Sequence, residues 1–328
     1  MTRRTTLTLA AVVLLVSATA LAVAWFLGGE RRLNRAAVVL GDGVLMPPFI
    51  MFRSLAPRDE HGHVAMLSLN PGDTARHVSP LSCARVHYAR GAGLCLVVER
   101  EKQASSNVAY IFDRTFTRRH RIALRGIPTR ARISPDGRRA SITTYVEEES
   151  PEGERLVTDS VVIDIASGRV LTDLRSFRLV HDGPPLIGAI DVSGVAFESD
   201  GDRFFATVST ATQRYLAAGS IGEQRLTTLR SGVANEALAP DGRHLVVKRL
   251  NDERGVWQLA VIDLRTWVER DLNQGPRSVD DQVEWLDNDH VMFHDVVDDT
   301  TAIWLLPIDG IAAPRVFVRD AFSGTAQR

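Results

Sequence analysis

The chain has 328 residues, 45% hydrophobic and 24% charged, so it is neither collagenous, of low complexity nor disordered. Lys and Arg number 39 against 40 Asp and Glu, and the net charge of −1 gives no global attraction to nucleic acid or anionic membrane. Among the basic residues only Lys102 and Lys248 are lysine, which reflects genome composition and not mechanism.

The first thirty residues read as a targeting segment. Arg3 and Arg4 form a basic start, and an uncharged apolar run follows from Leu7 to Gly29. As a helix this run would be roughly 34 Å long, enough for a bilayer core of about 30 Å. Two readings stand side by side. One is a retained membrane anchor, favoured by Trp25 and Phe26 at the interface position. The other is a signal cleaved at Ala18-Thr19-Ala20 or Ala22-Val23-Ala24. Both place the rest of the chain outside the cytoplasm, with 31–35 as a short linker.

Cys83 and Cys95 are the only cysteines. In an oxidising compartment so close a pair bonds, closing a loop worth about 3 kcal/mol on the chain-entropy model. Two separate buried thiols on adjacent strands are the other reading. With no Cys-x-x-Cys, zinc and redox-motif chemistry lapse.

A repeat organises the remainder. Segments centred on Asp136-Gly137, Asp200-Gly201 and Asp241-Gly242 each read as strand, tight turn, strand, because Gly accepts positive φ without a Cβ clash. Weaker copies sit at Gly91-Ala92-Gly93 and at Asp287-Asn288-Asp289. Downstream of most turns an apolar strand ends in Asp, at Asp113, Asp164, Asp263 and Asp309. Gly222 stands in the fourth copy, and extrapolation puts Ser68 and a turn near Met46 in the first. A short fourth strand follows each, as in Arg225–Leu229 and Arg315–Val318.

Four strands in about 45 residues is the blade of a β-propeller. The expected fold is all-β: a six-bladed propeller of four-stranded blades over 36–322, preceded by one hydrophobic helix and followed by a tail at 323–328. Face-to-face packing of blades buries each sheet, and closure removes the exposed ends. Closure is expected to pair Ala36–Leu40 with the C-terminal strands. The acidic stretch Glu147–Glu154 is an insertion, and Phe177–Ala189 an inserted loop. An open stacked array of sandwiches is the structural alternative.

Ile133-Ser-Pro-Asp-Gly-Arg138 and Leu238-Ala-Pro-Asp-Gly-Arg243 resemble the Ser-Pro-Asp-Gly element of the WD40-like repeat of TolB-type propellers. The likeness covers about 36–322, with sharp motifs in two or three blades. Blade 4 lacks the second Asp, blade 1 lacks both landmarks, and the separate α/β domain of TolB does not precede the propeller. The resemblance implies an extracytoplasmic binding protein without catalysis of its own.

No catalytic signature is present. Gly-x-Ser-x-Gly, the phosphate-cradling loop and His-Glu-x-x-His are missing. Gly41-x-Gly43 lacks the third glycine of a dinucleotide site. Asp287-Asn288-Asp289 lacks the Gly and Glu of a calcium loop and reads as a turn. His290 and His294, about 13 Å apart along one strand, cannot share a metal. The basic run from Arg114 to Arg132 reads as an outer strand facing solvent, not a nucleic-acid site. No cofactor or metal is expected.

Loops on a rigid scaffold concentrate function. The loops between second and third strands, and between blades, share one face and contain Arg100, Glu148, His181, Arg254 and Asp298. The first hypothesis is a binding module that engages an envelope protein or peptide there, without nucleic acid, touching membrane only through its first segment. The alternative is a hydrolase or lyase in the central channel, using Glu236, Asp281 or Glu284.

Overall fold

Each Asp-Gly element forms the tight turn its residues dictate. Gly137, Gly201 and Gly242 adopt φ of +76°, +68° and +68°, open to glycine without strain. The aspartate before each glycine caps the turn. Asp136 Oδ1 accepts the Arg138 N–H at 3.0 Å, and Asp200 Oδ1 accepts Asp202 and Arg203 at 2.9 Å each. Asp241 Oδ1 accepts Arg243 at 2.8 Å.

The second aspartates do the same one turn later. Asp113 Oδ1 accepts Thr115 and Thr117 N–H, Asp263 accepts Arg265 and Thr266, and Asp309 accepts Ile311 and Ala312. Hydrogen bonds from Thr115 hold Asp113 at about 2, and Arg243 holds Asp263 at about 2. Where the aspartate is missing, a substitute acts. Asp202 reaches across blade 4 to the Gly222 N–H at 3.0 Å, and Ser68 Oγ accepts the Asn70 N–H in blade 1 at 3.1 Å.

The computed structural model describes residues 38–40, 43–100, 105–150, 153–251 and 253–328. The run Leu7–Gly29 and the linker 31–35 lie outside the described residues. Among the described residues no helix is long and apolar enough to cross a membrane.

In chain order the strands are β1 (Val38–Leu40), β2 (Phe49–Ser54), β3 (His63–Ser68) and β4 (Arg76–Ser82). Next come β5 (Arg85–Ala89), β6 (Ala92–Arg100), β7 (Ser105–Asp113) and β8 (Arg118–Leu124). Then follow β9 (Ile127–Ile133), β10 (Arg139–Ser150), β11 (Gly153–Asp164), β12 (Val170–Asp173) and β13 (Arg178–Val180). Further on are β14 (Asp191–Phe197), β15 (Arg203–Ser209), β16 (Arg214–Ser220) and β17 (Arg225–Ser231). After them come β18 (Ala234–Leu238), β19 (His244–Asn251), β20 (Val256–Asp263) and β21 (Glu269–Asp271). The last are β22 (Glu284–Trp285), β23 (His290–Val297), β24 (Thr300–Pro307), β25 (Arg315–Arg319) and β26 (Ala321–Gln327).

These strands form six antiparallel blades, as the repeat predicts. Blades 2, 3, 5 and 6 have four strands each. Blades 1 and 4 carry a fifth at the rim, β1 parallel to β4 and β13 parallel to β17. The stretch expected as a loop at Phe177–Ala189 therefore contains a short strand. Both extra strands cover an outer edge that would otherwise present unpaired backbone groups.

Closure differs from expectation. Val38–Leu40 does not meet the C-terminal strands but lies on the outer edge of blade 1. The innermost strand of that blade is β26, paired antiparallel with β2 from Phe49↔Gln327 to Ser54↔Ala321. Most of the expected tail at 323–328 is thus inside the sheet. The turn sought near Met46 is the one that this closure cuts open.

The core is partitioned into six blade–blade interfaces, because each sheet is apolar on both sides. Phe49, Met51 and Met66 pack on Tyr88, Tyr110 and Phe112 between blades 1 and 2. Ile50 and Phe52 meet Leu286, Met292 and Ile303 between blades 6 and 1. Cys83 and Cys95 are both buried and form a disulfide with Cα atoms 5.4 Å apart, tying the blade 1–2 connection to β6.

Gly93 and Gly219 are required by close approach. A Cβ on Gly93 would lie 2.0 Å from the Phe112 ring, and one on Gly219 would lie 2.3 Å from Phe204. Each buried phenyl lies across the strand opposite it. Gly93→Ala is expected to destabilise by about 2–3 kcal/mol through overpacking, read as a lower denaturation midpoint at unchanged m. A change under about 0.5 kcal/mol would show that the phenyl moves freely.

Candidate functional site

The inner strands β26, β5, β9, β14, β18 and β22 line a central channel, which polar side chains fill. Arg132 of β9 spans it. One guanidinium nitrogen donates to Val195 O (3.4 Å) and Glu236 O (3.0 Å); the other donates to Val283 O (2.9 Å) and Glu284 Oε1 (2.8 Å). One side chain on blade 3 thereby joins blades 4, 5 and 6. Gln282 pairs with both backbone groups of Ala131, and His87 Nδ1 accepts the Ile133 N–H at 3.2 Å.

The three carboxylates expected in the channel are there. Burial opposes ionisation of Glu284, but Arg132 and then His87 outweigh it and hold the carboxyl at about 2. Burial likewise opposes ionisation of Asp281, yet His294 and Arg85 hold it far below the carboxylate range. Their distances to it are 3.0 and 2.5 Å. Buried Lys248 donates to the Asp281 carbonyl, and burial lowers its own pKa well below normal. Glu236 differs. It accepts one hydrogen bond, from Thr207 Oγ1 at 2.8 Å, its Oε1 has no partner, and burial pushes it up to about 8. It borders a void of about 10 Å³, the size of one water. Among the described residues no three His, Cys, Asp or Glu side chains are placed to hold a metal.

Above the plug the channel widens into a cavity of about 700 Å³. Its floor is His87, Arg132 and Glu284; its wall is Phe197, Phe205, Leu238 and Trp285; Arg90, Asp241, Trp267 and Arg328 stand among its lining. It opens on the face of the Asp-Gly turns, opposite the loops singled out from sequence.

Neighbouring turns on this face are stitched together. Arg90 Nε donates to Pro135 O at 3.1 Å, and Arg139 donates to Gly201 O at 2.8 Å. The Asp241 N–H reaches Asn288 Oδ1 at 3.1 Å. Arg328 Nε reaches Leu286 O at 3.0 Å, and Gln327 reaches Tyr88 O at 2.8 Å. Between the turns of blades 4 and 5 no such bond exists among the described residues. There the cavity wall runs outward to Trp267, which is 43% exposed.

The five loop residues lie on the other face, spread over successive blades, and among the described side chains no hydrogen bond or ion pair joins Glu148, His181, Arg254 and Asp298 to one another. Arg100 ends β6. Glu148 pairs with Arg175 at 2.6 Å, and Asp298 with Arg319 at 2.7 Å. His181 hydrogen-bonds Thr228 Oγ1 at 2.8 Å and stands edge-on to Tyr215. Arg254 is exposed, its N–H held by Asn251 Oδ1 at 3.1 Å. Within the basic run, Arg118, Arg119 and Arg121 lie on outer β8 as expected, over Tyr110 and beside Asp113 and Glu99. Arg130 and Arg132, however, lie on inner β9.

Six radial blades around a plugged channel define a six-bladed β-propeller. Among solved structures, the chain is similar to TolB from Acinetobacter baumannii, at 16% identity and a TM-score of 0.60, over 87% of this chain and 67% of that one. It is also similar to an oligogalacturonate lyase in complex with manganese, at 10% identity and a TM-score of 0.51, over 76% of this chain and 72% of that one. Both likenesses are of fold. No family model matches the chain, and no curated protein matches it.

Proposed function

We propose that the protein is an exported binding propeller that engages an envelope protein or peptide, taking an apolar side chain of that partner into the turn-face cavity. The cavity carries this reading: about 700 Å³, walled by Phe197, Phe205, Leu238 and Trp285, and open toward Trp267. Concave, mostly apolar sites with a few fixed polar groups are where ligands bind. Export is supported by the leader-like first thirty residues and by the Cys83–Cys95 disulfide, which suits an oxidising compartment.

A hydrolase or lyase acting from the channel would draw on the same carboxylates. Glu284 is held by Arg132, Asp281 by Arg85 and His294, and Glu236 borders only a water-sized void. These arrangements suit a structural plug better than proton transfer to a substrate.

The test is cross-linking of full-length tagged protein in its own cells, with captured species identified by mass spectrometry. Trp267→Glu is expected to reduce capture of the main partner at least tenfold without lowering the melting temperature, because Trp267 is half-exposed. Combined charge reversal of Glu148, Arg254 and Asp298 is expected to leave capture within about twofold. The opposite pattern would move the site to the loop face.

A further inference from the structure

The inserted acidic stretch does not form a loop. β10 and β11 are 12 residues each, and their register runs unbroken from Arg139↔Asp164 to Ser150↔Gly153. The longest strands of other blades have 9 residues. β9 leaves β10 at Tyr145↔Ile127, and β12 leaves β11 at Val161↔Asp173. Beyond these points two strands continue alone as an arm on the loop face.

The two faces of the arm differ. On one, Val146 and Val157 are buried, Glu148 pairs with Arg175 at 2.6 Å, and Arg155 pairs with Asp191 at 3.5 Å. On the other, alternation places Tyr145, Glu147 and Glu149 beside Leu156 and Glu154, with Ile127 opposite Tyr145. Ile127, Tyr145 and Leu156 are 63%, 37% and 58% exposed. Glu147, Glu149 and Glu154 are exposed, and their side chains have no hydrogen bond or ion pair among the described residues. Glu149 and Glu154 are direct cross-strand partners, an arrangement that like charges destabilise. A two-stranded ribbon is already marginal.

We infer that this face of the arm is a docking surface for a basic segment of a partner protein that carries aliphatic or aromatic side chains at alternate positions. Three unpaired carboxylates around an exposed apolar stripe are complementary to such a segment. They repel anionic lipid, nucleic acid and a symmetric second copy of the same face. The surface is independent of the turn-face cavity and lies on the opposite side of the ring.

The probe is a fluorescein-labelled peptide of alternating lysine and leucine, with glutamate–leucine and lysine–glycine peptides as controls, titrated with full-length protein and followed by anisotropy. The lysine–leucine peptide is expected to bind at least tenfold more tightly than either control and to weaken with salt. The combined variant Glu147→Gln, Glu149→Gln, Glu154→Gln should weaken it at least tenfold while keeping or raising the melting temperature, since repulsion is relieved. Leu156→Ser should weaken it about fivefold, and Glu148→Gln, on the paired face, by less than twofold. Equal binding of lysine–leucine and lysine–glycine peptides, or unchanged binding by the triple variant, would overturn the proposal. Dimerisation in sedimentation that Leu156→Ser abolishes would also overturn it, in favour of a second copy as the occupant.

Discussion

Replacing Arg132 by Met is expected to cost the fold about 4 kcal/mol and to lower its melting temperature by roughly 10 °C. The guanidinium donates to three backbone carbonyls and to Glu284, on three different blades. Met keeps most of the volume but leaves Glu284 ionised with only His87 and Gln282 beside it, along with carbonyls that have lost their donor. Adding Glu284→Gln should recover more than half the loss, because much of the cost is the stranded charge. A double-mutant cycle by denaturant unfolding reads both numbers. A single-variant loss under 1 kcal/mol would mean that water replaces the guanidinium and that the blades do not depend on it.

Glu236→Gln has the opposite sign and depends on pH. In the folded protein the carboxyl is neutral below about 8, whereas in the unfolded chain it ionises above its ordinary 4.5. Between those values unfolding releases a proton, so each pH unit weakens the wild-type fold by about 1.4 kcal/mol. Glutamine mimics the neutral acid and keeps the acceptor for Thr207. The variant should match wild type near pH 4.5 and exceed it by about 4 kcal/mol at pH 9. Denaturant midpoints across that range are the measurement. Parallel curves for the two proteins would show that Glu236 ionises normally.

The parts legible in the sequence were those fixed by local chemistry. Asp136-Gly137 and Asp241-Gly242 announce turns because glycine adopts the positive φ there without strain. Asp113 and Asp263 announce the next turn because a carboxylate caps it. Even Ser68 was placed by spacing alone, and it caps its turn as the aspartates do. What depended on closure was hidden. Ser-Gly-Thr-Ala-Gln-Arg, residues 323–328, has no apolar run and reads as a tail; most of it belongs to β26, whose pairing with Phe49–Ser54 lies across the whole chain. Arg132 sat in a basic run that read as solvent-facing, because nothing local says that β9 lines the channel. The cavity was missed for the same reason. Its lining comes from all six blades and meets only when the ring is complete.

The seam in blade 1 has a consequence for biogenesis. A chain emerging from its N-terminus makes β2 early, yet the inner edge of β2 stays bare until Ala321–Gln327 arrives. Until then Ile50 and Phe52 lack their neighbours from blade 6. β26 is the clasp, so the chain through Gln327 must be made, and must have crossed any membrane, before the molecule can become a ring. Non-local pairing of this kind is slow to form. The interval leaves a sticky open arc, and a chain severed even a few residues before Gln327 would remain one.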